Sequence, residues 1–282
     1  MEYITAMKNK FVKMHGLGND FVIFDARSAA LSIPSETIIK MGDRRTGIGF
    51  DQLVIIDPPR SPGTDAYLRI YNNDGTEVGA CGNATRCIGK LLIDETKAQK
   101  VTLETRAAKL EAVMAGDDVA VDMGNVNLEW QQIPLKREED TLSVPVEEGL
   151  LDRAVAVNVG NPHAVFFLQK NVDDFPLEKM GPRVEEDPIF PEKTNVEIAN
   201  VISRTRIRMR VWERGAGITR ACGTGACATA VAAIAKKLVA SPVTVSLTGG
   251  DLEIAWERGG GIVMTGGATH VFTGTADWDD FG

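Results

Sequence analysis

At 282 residues, with 44% hydrophobic, 25% charged and 6% aromatic side chains, the chain has the composition of a soluble globular protein and the length for two domains. Its 31 basic and 39 acidic residues leave a net charge of -8, which excludes a general nucleic-acid binder. Four cysteines are too few for a disulfide framework, no apolar run reaches the roughly 20 residues of a membrane span, and the first ten residues lack the apolar core of a secretory signal.

Free thiols, no membrane and a cytoplasmic location are therefore expected. None of His15, His163 and His270 is spaced with a cysteine as in a zinc site, and Cys222 and Cys227 stand five apart, so no metal is expected.

In chain order, Phe11-Val12-Lys13-Met14 and Phe21-Val22-Ile23-Phe24-Asp25 flank a cluster of Gly and Asn, and read as two strands joined by a turn. Residues 35–43 suit a short helix capped by Ser35 after Pro34. A glycine-bearing loop, 43–52, feeds a strand at 53–56. Another strand, 67–71, ends at the polar loop Asn72-Asn73-Asp74-Gly75-Thr76-Glu77. Cys87, Ile88, Leu91 and Leu92 then recur at helical spacing, so a helix starts at or just after Cys81. Strands at 101–103, 109–114 and 119–123 complete this half, and the polar stretch 129–148 reads as a connection between lobes or a surface excursion.

The pattern restarts with a strand at 155–159 that ends at Gly160-Asn161-Pro162-His163. Residues 164–168 continue as strand, 172–180 look helical, and 188–191 form a turn before Thr194-Asn195-Val196. Alternation in Ile207-Arg208-Met209-Arg210-Val211-Trp212 marks a half-exposed strand. After Cys222, the run Ala226, Ala230, Ala233, Ile234 and Leu238 predicts a second helix, rich in alanine and able to pack closely. Strands follow at 243–247, 252–256 and 262–265, and His270-Val271-Phe272 returns to pair with the first lobe.

Two halves of this chain repeat one another. Ala80-Cys81-Gly82-Asn83 is answered by Ala221-Cys222-Gly223-Thr224, with the cysteines 141 positions apart. Gly18-Asn19-Asp20-Phe21 is answered by Gly160-Asn161-Pro162-His163 at an offset of 142, and Asn72 and Glu213 each lie nine residues before their cysteine. A period this long means two homologous lobes rather than a solenoid. The expected architecture is α/β (α+β): an N-terminal lobe of residues 1–125, completed by 269–282 and carrying Cys81, and a C-terminal lobe of 126–268 carrying Cys222. The two lobes would face each other, each delivering one cysteine to a common cleft.

A thiol at a helix N-terminus feels the positive end of the helix dipole and nearby N–H groups, which favours thiolate. Two such cysteines on opposite sides of one carbon could invert it, the thiolate removing a proton from one face while the thiol donates to the other. Gly82, Asn83, Gly223 and Thr224 would supply backbone N–H groups for an anion at two helix tips. An α-carboxylate held there gains charge as its α-carbon is deprotonated, so these donors favour the transition state over the substrate. Unpaired cysteine is more often packing, and Cys87 and Cys227, inside helices beside Ile or Ala, are read so. A disulfide between Cys81 and Cys222 remains open as a redox switch or an oxidation product.

Lys13-Met14-His15-Gly16-Leu17-Gly18-Asn19-Asp20-Phe21, the Cys81 to Cys87 block, Gly160-Asn161-Pro162-His163, Thr194-Asn195-Val196, and the segment from Glu213-Arg214-Gly215 to Cys222-Gly223-Thr224-Gly225-Ala226-Cys227-Ala228 together resemble the diaminopimelate epimerase family. The resemblance runs in order from Phe11 to about Phe272. It implies two pseudo-twofold-related lobes, each a strand-rich sheet wrapped around a central helix. It also implies interconversion of LL- and meso-2,6-diaminopimelate on the way to lysine and peptidoglycan, with no pyridoxal phosphate or metal cofactor.

By position, the resemblance makes Cys81 and Cys222 the two bases and puts Asn19, Gln52, Asn72, Gly82, Asn83, Asn161, Asn195, Glu213, Arg214, Gly223 and Thr224 around the substrate. Such a substrate carries two ammonium and two carboxylate groups and needs partners at both ends; Arg214 could hold the distal carboxylate in a bidentate pair. His163 and Glu213 would tune the thiols. A homodimer is implied, with Phe272 as an interface candidate.

Ile218, Arg220 and the loop 45–50 depart from the family's commonest pattern beside the motifs, which bears on pocket details rather than on reaction type. Residues 1–6 read as an extension, with Met7 as a second candidate start. Rival readings are a proline or hydroxyproline racemase of the same fold, which would not need so many distal polar groups, an isomerase related to phenazine biosynthesis, which would leave both cysteines unexplained, and a binding protein that uses its thiols for sensing.

Overall fold

A computed structural model describes residues 9–281, apart from the side chains of Glu147, Glu148, Trp278 and Asp279. The extension at 1–6 and the second start at Met7 lie outside the described residues. The chain divides into two units: residues up to Val121 together with those from Gly267 onward, and Asp122–Gly266.

In the first unit, β1 (Asn9–Gly16) and β2 (Asn19–Asp25) form a hairpin whose two linking residues, Leu17 and Gly18, both have positive φ, 57° and 84°. That left-handed pair matches the twist of the flanking strands. After α1 (Ser35–Gly42), β3 (Gln52–Asp57) pairs parallel with β2 and antiparallel with β4 (Ala66–Asn72), and β4 turns back through β5 (Glu77–Val78). The chain then enters α2 (Gly82–Thr96) and returns as β6 (Lys100–Glu104), parallel to β4, followed by β7 (Lys109–Ala115) and β8 (Asp118–Asn125), within which the unit boundary falls.

The second unit repeats this plan. Antiparallel β9 (Val144–Glu148), β10 (Leu151–Asn158) and β11 (Pro162–Phe167) lead through α3 (Leu177–Glu185) to β12 (Asn195–Ser203), which pairs parallel with β11. Then come β13 (Arg206–Glu213), β14 (Gly217–Ile218), α4 (Gly223–Ala235), β15 (Val243–Leu247) parallel to β13, β16 (Gly250–Trp256) and β17 (Gly261–Gly266). Finally β18 (Thr269–Ala276) pairs with β1, as expected of His270-Val271-Phe272.

Each unit wraps its strands around one helix. The first two turns of α2 are buried on β1, β6 and β7, and a Cβ at Gly89 would meet the Ala112 Cβ at 2.5 Å, so this approach needs glycine. In α4 the alanines take that role: Ala226, Ala228, Ala230, Ala232 and Ala233 are all fully buried, as in a helix apolar on every side. A second apolar cluster in the first unit packs α1 and β2 through Phe24, Ile38, Met41 and Phe50.

Three local expectations change. The helix expected at 172–180 is a short 3-10 turn, Val172–Asp174, followed by α3, because Pro176 forces Phe175 into extended backbone. Ser35 is the first residue of α1 rather than its cap; Pro34 holds the cap position and no side chain caps the helix. The stretch 129–148 is no mere excursion, since Ile133, Leu135, Val144 and Val146 are buried in the second unit's core and its last residues form β9.

Candidate active site

Both cysteines are helix N-caps in extended backbone, Cys81 before α2 and Cys222 before α4, and all four cysteines are free thiols. A tight turn joins β4 to β5 and β13 to β14, a short segment then leads to each cap, and the first helical turn beyond it carries N–H groups that the helix itself cannot pair.

In the first unit the predicted residues fall into two groups. Cys81, half-buried, directs its Sγ to the Asn19 side-chain oxygen at 3.9 Å, and the same oxygen accepts from Asn83 Nδ2 at 3.0 Å. Asn83 in turn accepts from the fully buried Arg86 at 2.8 Å. Asn19 is held from behind: its Nδ2 donates to Asp51 Oδ2 at 3.1 Å. Because a carboxylate only accepts, this bond fixes which end of the Asn19 amide faces the thiol.

Asp51 and Asp20 are tied together by Arg44 and by backbone amides, and Lys13 donates to Asp20 at 2.6 Å and also bonds the Gly49 carbonyl. Burial opposes ionisation of Asp20, but the hydrogen bonds from Arg44 and Lys13 outweigh it and hold its carboxyl well below the usual range. In the second group, Gln52 and Asn72 face each other across β3 and β4, with Gln52 Nε2 donating to Asn72 Oδ1 at 3.0 Å. Gln52 Oε1 is buried and has no hydrogen-bond partner among the described residues, so it is an acceptor available to a donor such as an ammonium.

In the second unit, Cys222 Sγ accepts from Gly225 N at 3.3 Å and lies 3.5 Å from Thr224 Oγ1. Asn195 donates to the Pro162 carbonyl and accepts from Arg214 N at 2.9 Å, so it ties the β11 start to the end of β13. The Arg214 guanidinium, exposed, reaches the Glu192 carbonyl at 2.8 Å. Glu213 accepts from Thr219. His163, fully buried, lies with Nε2 2.9 Å from Asn161 Oδ1 and Nδ1 2.7 Å from Glu197 Oε1.

The helix tip does not make Cys222 a resting thiolate. Burial pushes the thiol well above the ordinary cysteine value, and the nearby charge of Glu213 adds to that, while Thr224 and the Gly225 amide only partly offset it. Desolvation and the Glu213 carboxylate thus outweigh the dipole on which the expectation of a thiolate-favouring tip rested. Cys87, read as packing, is fully buried and its thiol is pushed up to about 12 by burial.

Sequence reasoning passed over Glu197, Asp51 and the role of Arg86. Glu197 stands two residues beyond Asn195 on β12, hence on the same face of the strand. An acid at a strict two-residue step inside an apolar strand was its signal. Among the described residues no group of three or more His, Cys, Asp and Glu is arranged to hold a metal ion, and no helix is long and apolar enough to cross a membrane. A cavity of about 620 Å³ lined by Phe167, Asn200, Ile202 and Lys236 contains none of the predicted residues.

The family model for diaminopimelate epimerase matches residues 11–129 and 155–271, one stretch in each half. The chain belongs to the diaminopimelate epimerase family. It is 49% identical over 276 residues to the Diaminopimelate epimerase of Sphingopyxis alaskensis, covering 98% of this chain and 100% of that protein. With that of Rhizorhabdus wittichii the identity is 50% over 277 residues, covering 98% of each.

Among solved structures, the fold resembles a phenazine biosynthesis protein of the PhzF family from Enterococcus faecalis, with a TM-score of 0.67 at 11% identity over 96% of this chain and 99% of that one. It also resembles a probable proline racemase from Agrobacterium radiobacter, with a TM-score of 0.68 at 15% identity over 95% and 92%. These likenesses establish a fold shared by the rival readings; the sequence relatives distinguish the family.

Proposed function

We propose that this chain interconverts LL- and meso-2,6-diaminopimelate, the epimerisation that its family performs in lysine biosynthesis, and that Cys81 and Cys222 act as paired bases on opposite faces of the α-carbon. The observation that carries the reading is the repeated cap: one free cysteine begins the central helix of each unit. The thiolate takes the α-proton and becomes a thiol. The electron pair left on carbon delocalises into the adjacent carboxylate, toward unpaired N–H groups of a helix tip. The opposing thiol then gives its proton to the other face and becomes the thiolate, so the reverse reaction exchanges the roles.

The environment of Cys222, buried and close to two carboxyl groups, supports it as the member that rests protonated. His163 and Glu213 adjust that balance. Gln52 and Asn72 offer acceptors to ammonium groups, Asn161 and Asn195 line the pocket, and Arg214 pairs with the distal carboxylate. No step requires pyridoxal phosphate or a metal. A cytoplasmic homodimer is part of the reading, and the exposure of Val271 and Phe272 on β18, 51% and 45%, supports a contact there.

Reduced protein in D2O, given diaminopimelate and no cofactor, is expected to exchange deuterium into the α-position. Racemisation of proline in place of this exchange would overturn the substrate. Cys81→Ala and Cys222→Ala are each expected to lower epimerisation by about 10³-fold or more, since neither thiol can serve both faces. Wild-type turnover by either variant would remove the two-base assignment.

A further inference from the structure

His163 sits between two oxygens, and the hydrogen-bond inventory of its ring limits what it can be. Nε2 faces the side-chain oxygen of Asn161 at 2.9 Å, which only accepts, so Nε2 carries a hydrogen. Nδ1 faces Glu197 Oε1 at 2.7 Å, and one proton lies between them. Whichever atom holds that proton, the pair carries no net charge, as befits two side chains with no exposed surface.

The other carboxyl oxygen decides between the two forms. Glu197 Oε2 is buried and has no hydrogen-bond partner among the described residues. An anionic oxygen left bare in the interior is far more costly than the carbonyl oxygen of a neutral acid. Burial accordingly raises the Glu197 carboxyl above its ordinary value. The proton rests on Oε1 and is donated to Nδ1, leaving a neutral ring with hydrogen on Nε2 alone.

This arrangement reaches the cysteine cap. A Cβ at Gly225 would lie 2.8 Å from Glu197 Oε1 and 3.3 Å from Cys222 Sγ, so the acid lies directly beneath the first turn of α4, where the Gly225 amide bonds the sulfur. The ionisable groups around the acid are His163 on β11, Glu213 on β13 and Cys222 at the helix tip. An ionised Glu197 there would oppose thiolate formation at Cys222; a protonated one does so much less.

We propose that Glu197 is a positioning residue for the reaction. Held as a neutral acid, it fixes His163 as an Nε2–H donor to Asn161, and this in turn fixes the Asn161 amide with its NH2 group available to donate to the substrate. Among the described residues that NH2 group has no partner. The proposal rests on the epimerase reading for its substrate, though not for its geometry.

The test has two arms. In ¹⁵N-labelled full-length protein, the His163 resonances are expected to show hydrogen on Nε2 and none on Nδ1 near neutral pH; a ring protonated on both nitrogens, or on Nδ1 alone, would overturn the proposal without any variant. Glu197→Gln can either donate to or accept from Nδ1, so it is expected to mix the tautomers, change the pH profile of kcat/KM, and lower kcat/KM by about tenfold or more, as loss of a histidine's supporting partner does elsewhere.

Because the effect passes through Asn161, Glu197→Gln is expected to add little to the loss caused by Asn161→Ala in a double-mutant cycle. Multiplying losses, or an unchanged tautomer, pH profile and kcat/KM in a folded Glu197→Gln protein, would overturn the role. If the wild-type ring has the expected tautomer but diaminopimelate shows no α-exchange, the reaction reading fails while the assignment of the Glu197–His163 pair stands.

Discussion

By strand register, Phe21 and Val54 of the first unit hold the places of His163 and Glu197 in the second: Phe21 pairs with Gln52 as His163 pairs with Asn195, and Val54 and Glu197 follow two residues on. All four side chains are fully buried. The residues just before these pairs reverse the chemistry. Asp20 and Asp51 precede Phe21 and Gln52 and are bound by Lys13 and Arg44, whereas Pro162 and Thr194 precede His163 and Asn195. One scaffold thus backs its cysteine tip with an ion cluster and an apolar pair, the other with neutral residues and a buried acid–imidazole pair. The two units share the backbone that presents each thiol and differ in the electrical setting around it, a difference in keeping with the proposed pairing of one base with one acid.

The largest effect is expected where the first unit's ion cluster is broken. Asp20→Asn leaves the Lys13 ammonium buried without its carboxylate, and loss of one partner of a buried pair costs about 3–5 kcal/mol. Urea unfolding at pH 7 reads this directly. The sign with pH follows from the depressed carboxyl of Asp20: its contribution is fully present above the unfolded value of about 3.9 and is lost as pH falls below that toward the folded value. The difference between wild type and variant should therefore narrow in acid. A constant difference down to pH 2 would remove Asp20 from the cluster's electrostatics.

Grafting the first unit's apolar pair into the second separates stability from chemistry. His163→Phe combined with Glu197→Val is expected to keep or raise stability, since replacing a buried polar pair by apolar side chains is often neutral or better. It should lower kcat/KM by about 100-fold through loss of the Asn161 support. A thermal melt with a steady-state assay checks both at once, and full activity in a folded variant would make the difference between the units incidental.

The repeat, both helix starts and the returning β18 could be read from the sequence because each is written in local signals: the Cys-Gly-polar cap, the apolar spacing after it, and the two offsets near 141. Asn19, Asn83 and Asn161 were legible as polar groups in loops or caps. Their orientation was not, because it depends on the side chains that meet them in the fold: Asp51 from the loop before β3 for Asn19, Arg86 one helical turn on for Asn83, and for Asn161 a His163 ring that Glu197 holds from β12. Which thiol rests protonated was not legible for a related reason. A helix tip is visible in sequence, but burial and the approach of Glu197 and Glu213 from neighbouring strands are properties of the folded unit. The break at Pro176 was the exception, a local steric signal that the expected helix at 172–180 passed over.

The contrast between the thiols can be measured by alkylation. Iodoacetamide reacts with thiolate, so at pH 7.5 the half-buried Cys81 is expected to be modified about tenfold or more faster than Cys222, with mass spectrometry assigning the site. The order should hold in ligand-free, fully reduced protein. Faster labelling of Cys222 would reverse the assignment of the resting acid.

The smallest effect comes from Glu213, half-buried and second to burial among the causes that raise the Cys222 thiol. Glu213→Gln keeps the shape of the side chain and an oxygen that can accept from Thr219, but removes the charge. With less negative charge nearby, the thiolate is less opposed, and the Cys222 thiol should move down toward its ordinary value. Each tenfold rise in thiolate fraction corresponds to one unit of pKa, and a partly solvated charge is screened, so an acceleration of Cys222 alkylation of about three- to tenfold is expected, with Cys81 unchanged. The pH at half-maximal labelling should fall by a matching amount, and added salt should shrink the difference between wild type and variant because it screens the charge that was removed. Slower labelling of Cys222 in the variant would mean that Glu213 acts on the thiol by accepting its proton rather than by repelling its anion, and the contrast between the two tips would then rest on burial alone.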